Sequence, residues 1–192
     1  MLRVARATRP LFNGEGRWCV PRSFSGGFTH INEQGDIHMV DIGHKASSLR
    51  SATAEALVRL PRDVFETLKK THGELAKGNV LSTARLAGIM GAKHTSTIIP
   101  LAHPLLFSHC AVDMELDEDS GTVVVTSTVK CSGNTGVEME AMVSASTAAL
   151  TLYDMCKGVS KAIVLEQVRL IRKTGGKSGT WQAPQRGSHL QP

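Results

Sequence analysis

Aromatic residues are scarce in this sequence, with one Tyr, two Trp and five Phe among 192 residues, and none is interleaved among the basic residues of the chain's body. Bases of single-stranded nucleic acid need aromatic faces to stack on, so the sequence offers no such platform. Paired cysteines are absent as well. Cys19, Cys110, Cys131 and Cys156 stand far apart and form no CxxC pair, which removes a zinc ribbon and a thioredoxin-like redox site. Isolated cysteines in a reducing compartment are usually small core residues. No long apolar run occurs either. The longest stretch free of Asp, Glu, Lys, Arg and His, Ala141 to Tyr153, has 13 residues, against the roughly 20 that a bilayer-spanning helix needs. The reading is a soluble protein with neither nucleic acid nor membrane as partner.

Acids are nearly missing from the first 27 positions, where Glu15 stands against Arg3, Arg6, Arg9, Arg17 and Arg22. An Arg-rich, Ser-bearing, acid-poor opening without a continuous apolar segment has the composition of an organelle transit peptide; a disordered arm is the plainer alternative. This opening also distorts the charge balance. The whole chain has 22 basic and 17 acidic residues, a net charge of +5 and a pI of about 9.2. Without the five arginines and the one Glu, 17 basic and 16 acidic residues remain, a balance of +1. The electrostatic footprint of a nucleic-acid binder must lie on the folded domain, so the high pI does not indicate one. With 41% apolar residues, the chain can bury a substantial core and reads as one domain with an appendage. The expected divisions are a leader at 1–27, a folded domain at 28–180 and a C-terminal tail at 181–192.

From Phe28 onward, a turn is expected at Asn32 to Gly35, followed by a short extended run through Ile37, Met39 and Val40. Ser51 to Leu60 stays ambiguous between helix and strand, because periodicity alone does not separate them. Pro61 reads as a first-turn residue, Asp63 suits the positive helix end, and Val64, Phe65 and Leu68 form the apolar stripe of a helix that Gly73 ends. A second helix is expected near Gly78, with an unusually small apolar face from Ala84 to Gly91 that suits close packing. That packing fits either a core contact within the chain or a contact between subunits. Pro100 and Pro104 bracket a loop. Cys110, Val112, Met114 and Leu116 alternate with Ala111, Asp113 and Glu115 as a half-buried strand, "DEDSG" makes a turn, and "TVVVTSTVKC" returns as the second strand of a hairpin. A long helix follows from about Gly136 to Val159, apolar all round and so expected to be enclosed. "KAIVLEQVRLIRK" reads as a last strand, with a helix as the alternative. Together these predict an α+β two-layer domain with helices on one face of an antiparallel sheet.

Four places could carry chemistry. Glu138 and Glu140 stand at the start of the long helix, where carboxylates suit the helix dipole without any further role. Asp154 and Lys157, one turn apart at its other end, are either an ordinary surface ion pair or an acid–base pair at the end of an enclosed helix. "TGGKSGT" (174–180) resembles a phosphate loop, but the Walker pattern fails because its first Gly would fall at Ile171. Arg172, Lys173 and Lys177 could still grip a phosphorylated ligand, or form a basic mobile turn. Lys77 of "AKGN" and His103 of "LAHP" are, taken singly, an exposed turn residue and a loop histidine. Neither His94 nor His109 completes a zinc spacing with His103, so no metal site is expected.

Taken together, "THINEQGDIHMVDIGHK", "AKGNVLSTARLAGIMGAKHTSTIIPLAHP", "TGVEMEAMVSASTAALTLYDMCK" and "VRLIRKTGGKSG" resemble the cyclic pyranopterin monophosphate synthase family, the MoaC family of molybdenum cofactor biosynthesis, over roughly Phe28 to Gly179. The resemblance implies a ferredoxin-like α+β fold. It implies a lyase whose substrate is a cyclised dihydro-GTP made by a preceding radical SAM enzyme, and whose products are a pyranopterin with a cyclic phosphate, and pyrophosphate. By motif, the implied catalytic residues are Lys77, Asp154, Lys157 and Lys173. The implied substrate contacts are Leu101, Ala102, His103, Met139 and Glu140, with Glu138 and Lys177 placed in the same pocket. No cofactor is required on this reading, and Mg²⁺ would enter as a counterion of the triphosphate. The family assembles as a hexamer, a trimer of dimers, with pockets at subunit interfaces. The leader then suggests the mitochondrial matrix, or the cytoplasm if it is not a transit peptide. Three positions depart from the family's common pattern: Asn79 and Thr180 where Asp is usual, and Ala102 where Cys is usual. None removes an implied catalytic group. An inactive ligand-sensing homologue and a structural subunit are the alternatives, and the retained Lys77, Asp154 and Lys157 weigh against the former.

Overall fold

The computed structural model describes residues 30–32 and 34–185. The leader at 1–27 and most of the tail lie outside the described residues. The chain divides into two units, Met1–Asp41 and Ile42–Pro192. In the first, the expected turn is present: Asn32 Oδ1 accepts from the backbone N–H of Gln34 (3.0 Å) and of Asp36 (2.7 Å). The expected extended run reduces to a single bridge between Ile31 and Ile37.

The second unit carries the fold. In chain order its elements are β1 (Ser48–Arg59), α1 (Arg62–Lys70), β2 (Glu74–Leu75), β3 (Gly78–Asn79), α2 (Val80–Lys93), α3 (Thr95–Ile98), β4 (His109–Asp117), β5 (Thr122–Gly133), α4 (Glu138–Cys156), β6 (Val164–Thr174) and β7 (Trp181–Gln182). The large sheet is antiparallel, in the order β4-β5-β1-β6-β7, while β2 and β3 make a separate small pair. Helices α2 and α4 pack on each other and over one face of the large sheet. This is the ferredoxin-like α+β arrangement.

The ambiguous segment from Ser51 is the central strand. Ala52, Ala54, Ala56 and Val58 are all buried on one face of β1. Alanine favours helices in isolation, yet a central strand lying under a helix needs small side chains on that face, and the tertiary contact prevails. Opposite them on β5, Val123, Val125 and Val129 fill the same layer. The hairpin joining β4 to β5 pairs Asp117 with Thr122 across a turn where Asp117 Oδ1 accepts from the N–H of Asp119 at 3.1 Å. Helix α4 closes the core with Ala141, Ala145, Ala148, Ala149 and Leu152, none more than 0% exposed. Burying a side chain such as Leu152 contributes about 1.5–3 kcal/mol.

The small face of α2 works within the chain. A Cβ on Gly91 would stand 2.5 Å from Thr147 Oγ1 of α4, and one on Gly88 would stand 3.0 Å from the Ser144 carbonyl oxygen. Only glycine lets the two helices approach this closely. Helix α2 begins two residues later than Gly78 suggests, at Val80, because Asn79 is its cap: Oδ1 accepts from Ser82 N–H at 2.8 Å. The Asn79 amide also donates to Glu74 Oε1 at 2.8 Å. An Asp at this position would repel that carboxylate.

Candidate active site

Most of the predicted site residues lie at the two ends of α4, while Leu101, Ala102 and His103 stand in the loop between α3 and β4. At its first turn, Glu138 is half-buried and Glu140 is 4% exposed. The turn of backbone between them points the two side chains in different directions, one outward and one into the domain. Burial pushes the Glu140 carboxyl above the ordinary carboxylate value, the Glu138 charge pushes the same way, and a backbone hydrogen bond partly opposes both. Such a group can hold a proton where an ordinary carboxyl would release it. Met139 lies between them and is exposed.

Strand β6 brings Lys173 to this end. Its Nζ stands 3.3 Å from Glu138 Oε1 and donates to Ser178 Oγ at 2.7 Å. The turn that carries Ser178 and exposed Lys177 depends on two glycines at positive φ, Gly175 (+88°) and Gly176 (+70°). A Cβ on Gly175 would lie 2.1 Å from the Leu49 carbonyl oxygen, and one on Gly176 would lie 2.1 Å from Arg50 Nη1. Arg50 itself was not anticipated. It continues the buried face of β1 beyond Ala52, and donates from Nε to the Gly133 carbonyl (2.9 Å) and from Nη2 to the Asn134 carbonyl (3.2 Å).

At the last turn of α4, Lys157 Nζ lies 2.5 Å from Asp154 Oδ1. The hydrogen bond from Lys157 and then its charge hold the Asp154 carboxyl below the usual range, and the charge of Lys77, from the β2–β3 turn, adds to the effect. The same contact raises the Lys157 ammonium above its ordinary value. The pair is therefore held as an ion pair. Its side chains are 61% and 48% exposed, so this chain alone does not enclose the end of α4, although the helix's apolar pattern led us to expect that it would.

Leu101, Ala102 and His103 are half-buried in the loop between α3 and β4. That loop ends where Ser108 N–H donates to the Lys130 carbonyl at 2.8 Å, near the end of β5 from which the chain enters α4. Two surface hollows of about 390 and 360 Å³ lie elsewhere, beside the β4–β5 turn and on the helix-free face of the sheet. Of the sequence candidates only Arg172 lines one of them, the second, so the structure turns Arg172 away from Lys173 and toward the helix-free face. The described cysteines carry no disulfide, and burial raises the thiols of Cys110 and Cys131 and pushes Cys156 up to about 11. This suits packing rather than nucleophilic work. Among the described residues, no three His, Cys, Asp or Glu side chains cluster as a metal site, and no helix is long and apolar enough to cross a membrane.

A ferredoxin-like domain whose long helix carries a proton-holding carboxyl beside a Lys–Glu pair at one end and an Asp–Lys ion pair at the other has the groups of an acid–base enzyme acting on an anionic ligand. The chain belongs to the MoaC family, whose sequence pattern matches residues 39–176. Among its relatives, the cyclic pyranopterin monophosphate synthase of Geobacter sulfurreducens is 52% identical over 155 residues, 81% of this chain and 96% of that protein. The proteins of the same name from Geotalea uraniireducens and Herpetosiphon aurantiacus are each 51% identical, over 81% of this chain and 96% and 94% of theirs.

Proposed function

We propose that this protein is a lyase that converts (8S)-3',8-cyclo-7,8-dihydroguanosine 5'-triphosphate into cyclic pyranopterin monophosphate with release of pyrophosphate, an early step of molybdenum cofactor biosynthesis. The observation that carries the reading is α4 itself. It bears "GVEMEA" at one end and "LYDMCK" at the other, within a sequence that matches a relative of that name across nearly its whole length.

Rebuilding a reduced purine into a pterin moves protons on and off ring nitrogens and carbons. The ionised Asp154 can accept one, Lys157 can donate one, and Glu140 can hold one where most carboxyls would not. Closing the cyclic phosphate requires a hydroxyl oxygen to attack the α-phosphorus. Its proton passes to a base, the bond to the β-phosphate breaks, and pyrophosphate leaves with the bonding pair. Lys77, Lys173 and Lys177 stabilise the charge that collects on the leaving oxygens. Leu101, Ala102, His103, Glu138 and Met139 complete the contacts to the substrate. No resident cofactor enters this scheme, and Mg²⁺ accompanies the triphosphate as its counterion.

The active unit on this reading is a homo-oligomer, a hexamer built as a trimer of dimers. Glu138 and Asp154 are separated along α4 by about 24 Å, at a rise of ~1.5 Å per residue, so one small substrate reaches both ends only if a second copy brings its own Asp154 to the first copy's Lys173. A radical SAM enzyme acting on GTP supplies the substrate. We place the protein in the mitochondrial matrix, addressed by residues 1–27; a fluorescent fusion of that segment staining only the cytoplasm would remove this part.

The test of the reaction is a coupled assay in which the purified chain receives GTP processed by the radical enzyme. Pyrophosphate together with a pterin that oxidises to a fluorescent product, both lost in Lys77→Ala, is the expected outcome. Binding of the cyclised nucleotide without release of pyrophosphate would refute the reading.

A further inference from the structure

We infer that Arg50, with Lys173, Ser178 and the Gly175–Gly176 turn, forms a phosphate-binding corner at the start of α4. The inference deepens the proposed function by giving the triphosphate a place. A guanidinium has five N–H groups. Arg50 spends two of them on the carbonyls of Gly133 and Asn134, at 2.9 and 3.2 Å. These bonds fix the plane and direction of the fork without neutralising it. No ion pair among the described residues uses Arg50, so its remaining donors and its full charge are available to an anion.

The surroundings suit an anion too. Arg50 faces Cys131 across the β1–β5 ladder, on the same side of the sheet as the neighbouring Ala52, which pairs with Lys173. Lys173 Nζ is 3.3 Å from Glu138, so that carboxylate is already matched. Burial drives the second carboxyl, Glu140, toward its neutral form. Ser178 accepts from Lys173, which leaves its own hydroxyl hydrogen to donate. Gly176 lies flat against Nη1, where any side chain would displace the guanidinium. Glycine at this position therefore keeps the fork open toward the turn. A fixed, planar fork is the group best matched to two oxygens of one phosphoryl unit.

The test is calorimetric titration of the full chain with inorganic tripolyphosphate. Arg50→Gln should weaken binding about ten- to a hundredfold, the span of a lost charged hydrogen bond, and Arg50→Lys should restore only part because a single ammonium cannot make the fork. Gly176→Ala, which keeps Arg50 but pushes it aside, should weaken binding as well, and it decides the matter if Arg50→Gln does not fold. Lys130→Gln, on the helix-free face, should leave binding unchanged. Affinity in Gly176→Ala and Arg50→Gln within twofold of the parent's (about 0.4 kcal/mol), or an equal loss in Lys130→Gln, would overturn the inference. Tripolyphosphate bound through Arg50 without turnover of the cyclised nucleotide would leave the corner standing and remove the proposed reaction. Turnover with no dependence of affinity on Arg50 would do the reverse.

Discussion

Replacing Gly175 by alanine tests whether the turn after β6 is held in place for chemistry. Gly175 has φ +88°, and its added Cβ would meet the Leu49 carbonyl oxygen at 2.1 Å. The left-handed backbone costs a residue with a Cβ about 1–2 kcal/mol. Overlap with a backbone atom that cannot rotate away adds about 1–3 kcal/mol. Contact distances near 3.5 Å mean that the turn must retreat by about 1 Å or more. Residues 177–180 are exposed, so the turn can peel away, and it would take Ser178 and the orientation of Lys173 with it. Gly179 is the internal control, with φ +63° and nothing within 4 Å of its Cβ. Gly179→Ala should lower the melting temperature by about 2–8 °C, from 1–2 kcal/mol at 2–4 °C per kcal/mol in a domain of this size, with turnover close to that of the parent. Gly175→Ala should lose about a hundredfold in kcat/KM, the scale of a 1 Å misplacement. Scanning calorimetry and the pyrophosphate assay measure both quantities. Equal activities in the two variants would show that the turn's position does not matter and would refute the reasoning.

Leu152→Ala, in the core under α4, should destabilise the fold by about 2–5 kcal/mol in denaturant titration, since Leu152 is fully buried; a loss under about 1 kcal/mol would mean that the helix is not seated as described. Glu140 has a raised folded value, so its proton favours the folded state below the ordinary carboxylate value, and that contribution is lost as pH rises through the raised value. Glu140→Gln should therefore be more stable than the parent at neutral pH while losing activity, with the stability gap closing as pH falls to about 4; a gap that ignores pH would contradict the burial argument. Asp154→Asn should leave thermal stability nearly unchanged, because the Asp154–Lys157 pair is exposed, yet abolish turnover; near-normal turnover would remove Asp154 from the mechanism.

Much of the layer structure could be read in advance because it follows local period. The alternation from Cys110 to Leu116 and the β-branched return strand are β4 and β5, and "KAIVLEQVRLIRK" is β6. What the pattern left open depends on distant partners. Ala52, Ala54 and Ala56 suit a helix or a strand equally until α4 lies over them. The small face of α2 could have met a subunit or the core, and Thr147 of α4 settles it. The two-residue strands β2, β3 and β7 are too short to show any period. Arg50 could not have been singled out, because the carbonyls that anchor it come from Gly133 and Asn134, more than 80 residues along the chain. Asp154 and Lys157 could be found by motif, but their exposure could not. An all-apolar pattern predicts enclosure, whereas Leu150 on the same helix is 58% exposed.

The central claim is that catalysis joins the Lys173 end of α4 in one copy to the Asp154 end in another. Co-expressing Asp154→Asn with Lys173→Ala, each inactive alone, tests it most directly. Random pairing in a twofold dimer leaves about one site in four with every group intact, so purified mixed oligomers should recover about a quarter of the parent's pyrophosphate release. Mixed oligomers as inactive as either variant alone would contradict the account.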